Sequence, residues 1–180
     1  MSIYDLKCET AFDGYRVTGV VRERETLIIP EGVVEIGVGA LAGCDMVTLQ
    51  LPRSLWRMSR HALAGCSRLQ KILIPRSGGL TYIGEGAFHA CQSLYAVNLP
   101  PVLQSLGDGA FCGCAALTEA HLPATVKHMG ELIFEGCERV NIICEGTAIP
   151  RHWPKNWAGC DARIVLTGRM PLFIGSGRTE

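Results

Sequence analysis

Six of the nine cysteines, Cys44, Cys66, Cys91, Cys114, Cys137 and Cys160, are spaced 22, 25, 23, 23 and 23 residues apart. Regularly spaced thiols could bind a metal, pair as disulfides or stack as small buried apolar groups, and here the period discriminates between them. A repeat in the low twenties marks a solenoid, in which each short coil buries its apolar edge only by stacking on the next. Like residues of neighbouring coils then lie roughly 5 Å apart, within disulfide reach, but their parallel Cα–Cβ vectors suit a bridge poorly. A reduced, inward ladder is the expectation. Cys8, Cys112 and Cys144 lie outside this phase. Cys144 is expected to point inward, and Cys112, in a column with Ala42, Ala64, His89 and Glu135, to face solvent as the thiol that reacts.

Other chemistry is weaker. Six residues before each cysteine stand Val38, Arg60, Glu85, Asp108 and Glu131, so three carboxylates stack on successive coils. Hard oxygen ligands of this kind suit calcium or magnesium. The competing role is local, because an acid just before a short turn meets the free N–H groups of a helix start. The local role is preferred and no metal is assigned. The nearest approach to a zinc site is Cys112-x-Cys114 with His89 or His121, but Cys114 belongs to the ladder. His61, His89, His121, His128 and His152 occupy five different phases and are expected to be scattered over the surface. A catalytic site needs a nucleophile and a base that converge. None is evident, so the chain reads as a non-enzyme without a cofactor; the alternative is a thiol-dependent enzyme or redox protein using Cys112.

Aligning the coils on the cysteine shows the elements that must position these groups. Three residues earlier come Leu41, Leu63, Phe88, Phe111, Phe134 and Trp157; eight earlier come Ile36, Met58, Ile83, Leu106 and Met129; eleven earlier come Val33, Leu55, Leu80, Leu103 and Val126. These are internal ladders. Each coil also has a short alternating run that ends in proline, such as Ile72-Leu73-Ile74-Pro75 and Val97-Asn98-Leu99-Pro100, which reads as a half-buried strand. Gly37, Gly84, Gly107 and Gly130, with Ser59 as the exception, precede the Ala-Phe step, where glycine is expected to free the backbone to turn. Ala-Phe-x-x-Cys is expected to form a single short helical or 3₁₀ turn.

The phrases Ile29-Pro30-Glu31-Gly32-Val33-Val34-Glu35-Ile36-Gly37 and Ile83-Gly84-Glu85-Gly86-Ala87-Phe88-His89-Ala90-Cys91 resemble the BspA-like, treponemal-type leucine-rich repeat. The resemblance covers about residues 27–166. It implies an α/β repeat solenoid, a right-handed superhelix with a parallel β-sheet and short helical or 3₁₀ turns, with a ligand-binding or adhesive role. Residues 1–26 are expected to form an N-terminal cap, 27–166 a solenoid of about six units and 167–180 a C-terminal tail. Pro150, Trp153, Pro154 and Trp157 are similar to the terminal unit of such arrays, so caps are expected at both ends.

Formal charge is zero over 180 residues, and 48% of them are apolar, enough for one sizeable core. No apolar run approaches a membrane span. Residues 1–7 lack a secretory pattern, which favours the cytoplasm, whereas the family resemblance favours a cell-surface or secreted protein. Nucleic acid is not expected, because the whole chain is formally neutral.

From Met46 to Gly84 the chain has Arg53, Arg57, Arg60, Arg68, Lys71 and Arg76 and no acid. The outward strand face should present Thr26, Ile28, Thr48, Gln50, Lys71, Leu73, Ala96, Asn98, Glu119, His121 and Ile143. The expected function is non-catalytic binding of a protein or other macromolecule by Gln50, Lys71, Leu73, Asn98 and His121. Arg53, Arg57, Arg60 and Arg76 would steer an acidic partner. A structural fragment of a longer array is a further alternative.

Overall fold

A computed structural model of the chain describes residues 5–22 and 24–168. Residues 1–4 of the expected cap and 169–180 of the expected tail lie outside them. The first two strands, β1 (Leu6–Ala11) and β2 (Gly14–Val20), form an antiparallel hairpin, and β2 pairs in parallel with β4 (Val33–Ile36). From there β6 (Arg57–Met58), β8 (Tyr82–Ile83), β10 (Ser105–Leu106) and β12 (His128–Met129) extend a seven-stranded sheet.

The strands before each proline, with two further strands after the last of them, build the opposite wall of the solenoid. β3 (Thr26–Ile28), β5 (Thr48–Gln50) and β7 (Lys71–Leu73) form a three-stranded parallel sheet. β9 (Ala96–Asn98), β11 (Glu119–Leu122), β13 (Asn141–Cys144) and β14 (Arg163–Leu166) form a four-stranded one. Each regular coil thus has two strands, where the sequence shows only one. Most members of the seven-stranded sheet are two residues long, too short for a period-two pattern to register.

The expected helical turns are absent, and the described residues contain no α-helix. The backbone bonds explain this. Ala40 N, Ala42 N and Cys44 N donate back to Gly37 O, Gly39 O and Leu41 O, whereas Gly39 N, Leu41 N and Gly43 N donate to Arg60 O, Ala62 O and Ala64 O of the next coil. Alternate amides are taken by the neighbour, so consecutive i to i−3 bonds cannot form and the segment stays a ladder-forming turn.

No disulfide joins any of the cysteines. Four of them close the ladder chemically: Cys66, Cys91, Cys114 and Cys137 donate S–H to Leu41 O, Leu63 O, Phe88 O and Phe111 O at 3.0, 3.3, 3.2 and 3.2 Å. Inside this column the rings of Phe88, Phe111 and Phe134 are fully buried and stacked, with centroids 4.9 and 5.6 Å apart. Trp157 meets the last of them edge-on at 6.5 Å. On the opposite wall at this same end the inward columns finish, among the described residues, with Ile164 41% and Leu166 42% exposed in β14.

One buried charge joins the hairpin to the coils. Glu35, 8% exposed, accepts Ser59 Oγ at 2.6 Å and Arg16 Nε at 2.7 Å, with Arg57 Nε at 3.6 Å. Burial pushes its carboxyl up, but the bonds from Ser59 and Arg16 and the two guanidinium charges outweigh burial and hold it below its ordinary value. Folding therefore favours the ionised form. Its stabilisation is complete above the ordinary carboxylate range and is lost as pH falls through the folded value. Glu35→Gln is expected to be less stable than wild type by about 1–2 kcal/mol at pH 7, with the gap closing toward pH 3. Urea titrations at both pH values check this, and a gap that stays constant or widens in acid contradicts it.

Candidate partner-binding face

The outward residues of the two shorter sheets form registered rows. Thr26, Thr48 and Lys71 are paired partners, as are Ile28, Gln50 and Leu73. Ala96, Glu119 and Asn141 continue the first row, and Asn98, His121 and Ile143 the second. Gln50, Lys71, Leu73 and Asn98 are exposed, and His121 is half-buried with Nε2 2.6 Å from Glu119 Oε1. These five therefore share one wall.

The four arginines do not act as one patch. Arg53 and Arg76 follow β5 and β7 in this wall, and Gly79 N donates to Arg53 O, which folds the 75–79 loop onto the Arg53 turn. The Arg53 and Ser54 amides both donate to Glu31, whose carboxyl is held below its ordinary value chiefly by the Arg53 N–H. Arg57 lies on the seven-stranded sheet, its guanidinium 4.1 Å from the Tyr82 ring centroid and 5.9 Å from that of Trp56, committed to the Glu35 network. Arg60 is exposed in the turn ladder, in the column that continues with Glu85 and Asp108.

That ladder borders a groove of about 280 Å³ lined by His61, Glu85, His89, Asp108, Cys112, Glu131 and Glu135. His61 and His89 share it although their repeat phases differ by three, because the turn brings those phases to one face. They are not scattered, as the sequence reading has it. Asp108 Oδ1 accepts Glu131 N at 2.9 Å and Glu131 Oε2 accepts Asn156 Nδ2 at 3.0 Å, so these carboxylates tie one coil to the next. Among the described residues no three His, Cys, Asp or Glu side chains are placed to hold a metal ion. His121 is on the shorter-sheet wall and Cys114 points inward to Phe88 O, away from Cys112.

Cys112 is half-buried, with Sγ 3.9 Å from Glu135 Oε2. Burial first, then the charge of Glu135, push its thiol above the ordinary value. A thiolate nucleophile needs the opposite surroundings. Cys112 in wild type is expected to label slowly with a maleimide at pH 7, and Glu135→Gln to accelerate it several-fold; an unchanged or slower rate in the variant would show that the carboxylate does not control the thiol.

The profile of the BspA type leucine-rich repeat region matches residues 22–141 in six copies. The chain belongs to this BspA-type family. Its fold is similar to that of the leucine-rich repeat protein of T. pallidum, at 23% identity and TM-score 0.73, with 92% of this chain and 99% of that one covered. A leucine-rich cell surface protein of Faecalibacterium prausnitzii A2-165 is also 23% identical, with TM-score 0.68 over 90% of this chain and 38% of that chain. The pneumococcal vaccine antigen PcpA is 16% identical, with TM-score 0.60 over 78% and 48%. The chain thus spans the treponemal protein but less than half of the other two. No curated protein matches.

In this BspA-type array one feature of the wall is irregular. β7 and β9 are both sheet edges, and no ladder joins them. Elsewhere the strand exit is closed by Ile29 N to Gln50 O, Leu51 N to Leu73 O and Leu99 N to His121 O, at 2.9, 3.0 and 3.2 Å; the corresponding bond from Ile74 N to Asn98 O is missing. Ile72 and Ile74 are half-buried, whereas Leu49, Val97, Leu51 and Leu99 in the same two columns are buried. The sequence signal for this break is the single spacing of 25 residues, between Cys66 and Cys91.

Proposed function

We propose that the chain is a non-catalytic binding module whose partner is another protein, held along the wall of β3, β5, β7, β9, β11 and β13. The observation that carries this reading is the pair of registered, solvent-facing rows, which offers side chains at fixed spacing across successive coils. Membership of a family that typically mediates protein–protein contact supports it. Gln50, Lys71, Leu73, Asn98 and His121 supply the contact surface. Arg53 and Arg76 supply the electrostatic steering, while Arg57 is assigned to the structural network and Arg60 to the opposite turn face.

The formal charge of zero gives the chain no overall pull toward a phosphate backbone, which favours a protein partner over nucleic acid. The F. prausnitzii relative is described as a cell surface protein, which supports an adhesive role at a surface. Among the described residues no helix is long and apolar enough to cross a membrane.

The test is an affinity capture from cells of the native organism and from their surroundings, with wild type and the Arg53→Glu/Arg76→Glu double variant. A protein retained by wild type and lost or strongly reduced with the variant is the expected result. Equal recovery by both removes the arginines from the reading, and capture of no protein by either removes the reading itself.

A further inference from the structure

We infer that the break between β7 and β9 is a peptide-docking cleft whose ligand is an extended acidic segment carrying one aliphatic side chain. The inference deepens the binding-module reading and rests on it. The cleft has about 170 Å³ of space and lies where the parallel wall is interrupted. Its apolar surface comes from Ile72, Ile74, Leu99 and Pro101, and Arg76 and Glu145 also line it.

Three observations converge on this ligand. Ile72 and Ile74 occupy inward columns that the other coils bury, so apolar area remains open here that an aliphatic side chain would cover. The facing edges of β7 and β9 lie side by side but lack the ladder that closes every other junction in this wall, which leaves a notch that admits a side chain from a segment lying across it. The electrostatics set the sign. β7 lies within the acid-free stretch from Met46 to Gly84, Lys71 is exposed on it, and Arg76 lines the cleft. Glu145 is the single acid lining the cleft among the described residues. A segment with an aliphatic residue flanked by carboxylates satisfies the apolar surface and the surrounding charge together; a basic segment satisfies only the first.

The probe is a pool of terminally blocked hexapeptides with Ile, Leu or Val at the third position and Asp or Glu flanking it. Two control pools carry serine at the third position or lysine in the flanks. Binding is read from the isoleucine δ1-methyl NMR signals of the full chain. The expected result is saturable movement of the Ile72 and Ile74 methyls with the first pool alone, weakened about tenfold in Arg76→Glu, a surface change that leaves the core intact. Silence of these two methyls, movement with the serine pool, or equal response to the lysine pool overturns the inference. Capture of a protein partner by wild type despite silent methyls removes the cleft and leaves the module reading standing. Failure of capture while the methyls respond removes the cellular role and leaves the cleft.

Discussion

Phe111→Ala is expected to be the most destabilising single truncation in the core, at about 3–5 kcal/mol, with a clear fall in the urea midpoint. Phe111 is fully buried and stacked on Phe88 on one side and Phe134 on the other, with interplanar angles of 3° and 9°. The coils above and below are fixed by backbone ladders, Phe88 N to Ala110 O and Phe111 N to Ile133 O, so they cannot collapse into the space that the ring leaves. Two ring contacts are lost as well as the buried area. The column supplies its own control, because Leu41 and Leu63 fill the same position in earlier coils with no exposure. Phe111→Leu is accordingly expected to cost no more than about 1.5 kcal/mol. Equal costs for alanine and leucine would mean that the ring column does not couple the coils.

The position of Phe111 gives this substitution a second consequence. In a repeat array stability is approximately a sum of coil terms and nearest-neighbour terms, and every contact that joins the first coils to the last passes through the middle ones. Weakening the central junction is expected to broaden the urea transition, lowering its slope, in addition to moving its midpoint. Phe134→Ala, adjacent to Trp157 at the end of the stack, should shift the midpoint with less broadening.

The regular part of this fold is legible in the sequence because each apolar column repeats the same environment. Cys44, Cys66, Cys91, Cys114, Cys137 and Cys160 read as one inward ladder from spacing alone; the first five are buried, and Cys160, where the array ends among the described residues, is only half-buried. What escapes is decided between coils. The Ala-Phe-x-x-Cys segment has helical composition, but its alternate amides are claimed by the next coil, a competition that no single coil encodes. The groove of His61, His89 and Cys112 is missed for a related reason: column alignment treats different phases as different faces, and a tight turn folds them onto one. Arg57 reads like Arg53 in sequence, but the second sheet, invisible at two residues per strand, takes it to Glu35 and Tyr82. The open cleft at Ile72 and Ile74 is announced only by the longer spacing from Cys66 to Cys91.

Two classes of glycine test how far these coils tolerate change, and Gly107→Ala is expected to be the second large effect, about 3 kcal/mol or more. Gly107 is not at positive φ, so conformational freedom is not its reason for being glycine. A Cβ there would collide with Glu85 N and lie 2.6 Å from the Gly84 carbonyl carbon, main-chain atoms of the preceding coil that its ladder holds in place. Gly84 repeats the situation one coil earlier, 2.8 Å from Arg60 N. Gly109, two residues on, is the opposite case: its φ is +54°, but a Cβ would meet only Cys112 Cβ at 3.4 Å. Its column already carries side chains at the same angle in His61 and Leu132, both at φ 54°. Gly109→Ala is therefore expected to cost only about 1 kcal/mol of backbone strain. Urea midpoints of the two alanine variants measured side by side decide the matter. If Gly109→Ala proves the costlier, conformation and not close approach sets the glycine pattern of the coil, and the spacing between neighbouring coils is less rigid than their hydrogen bonds imply.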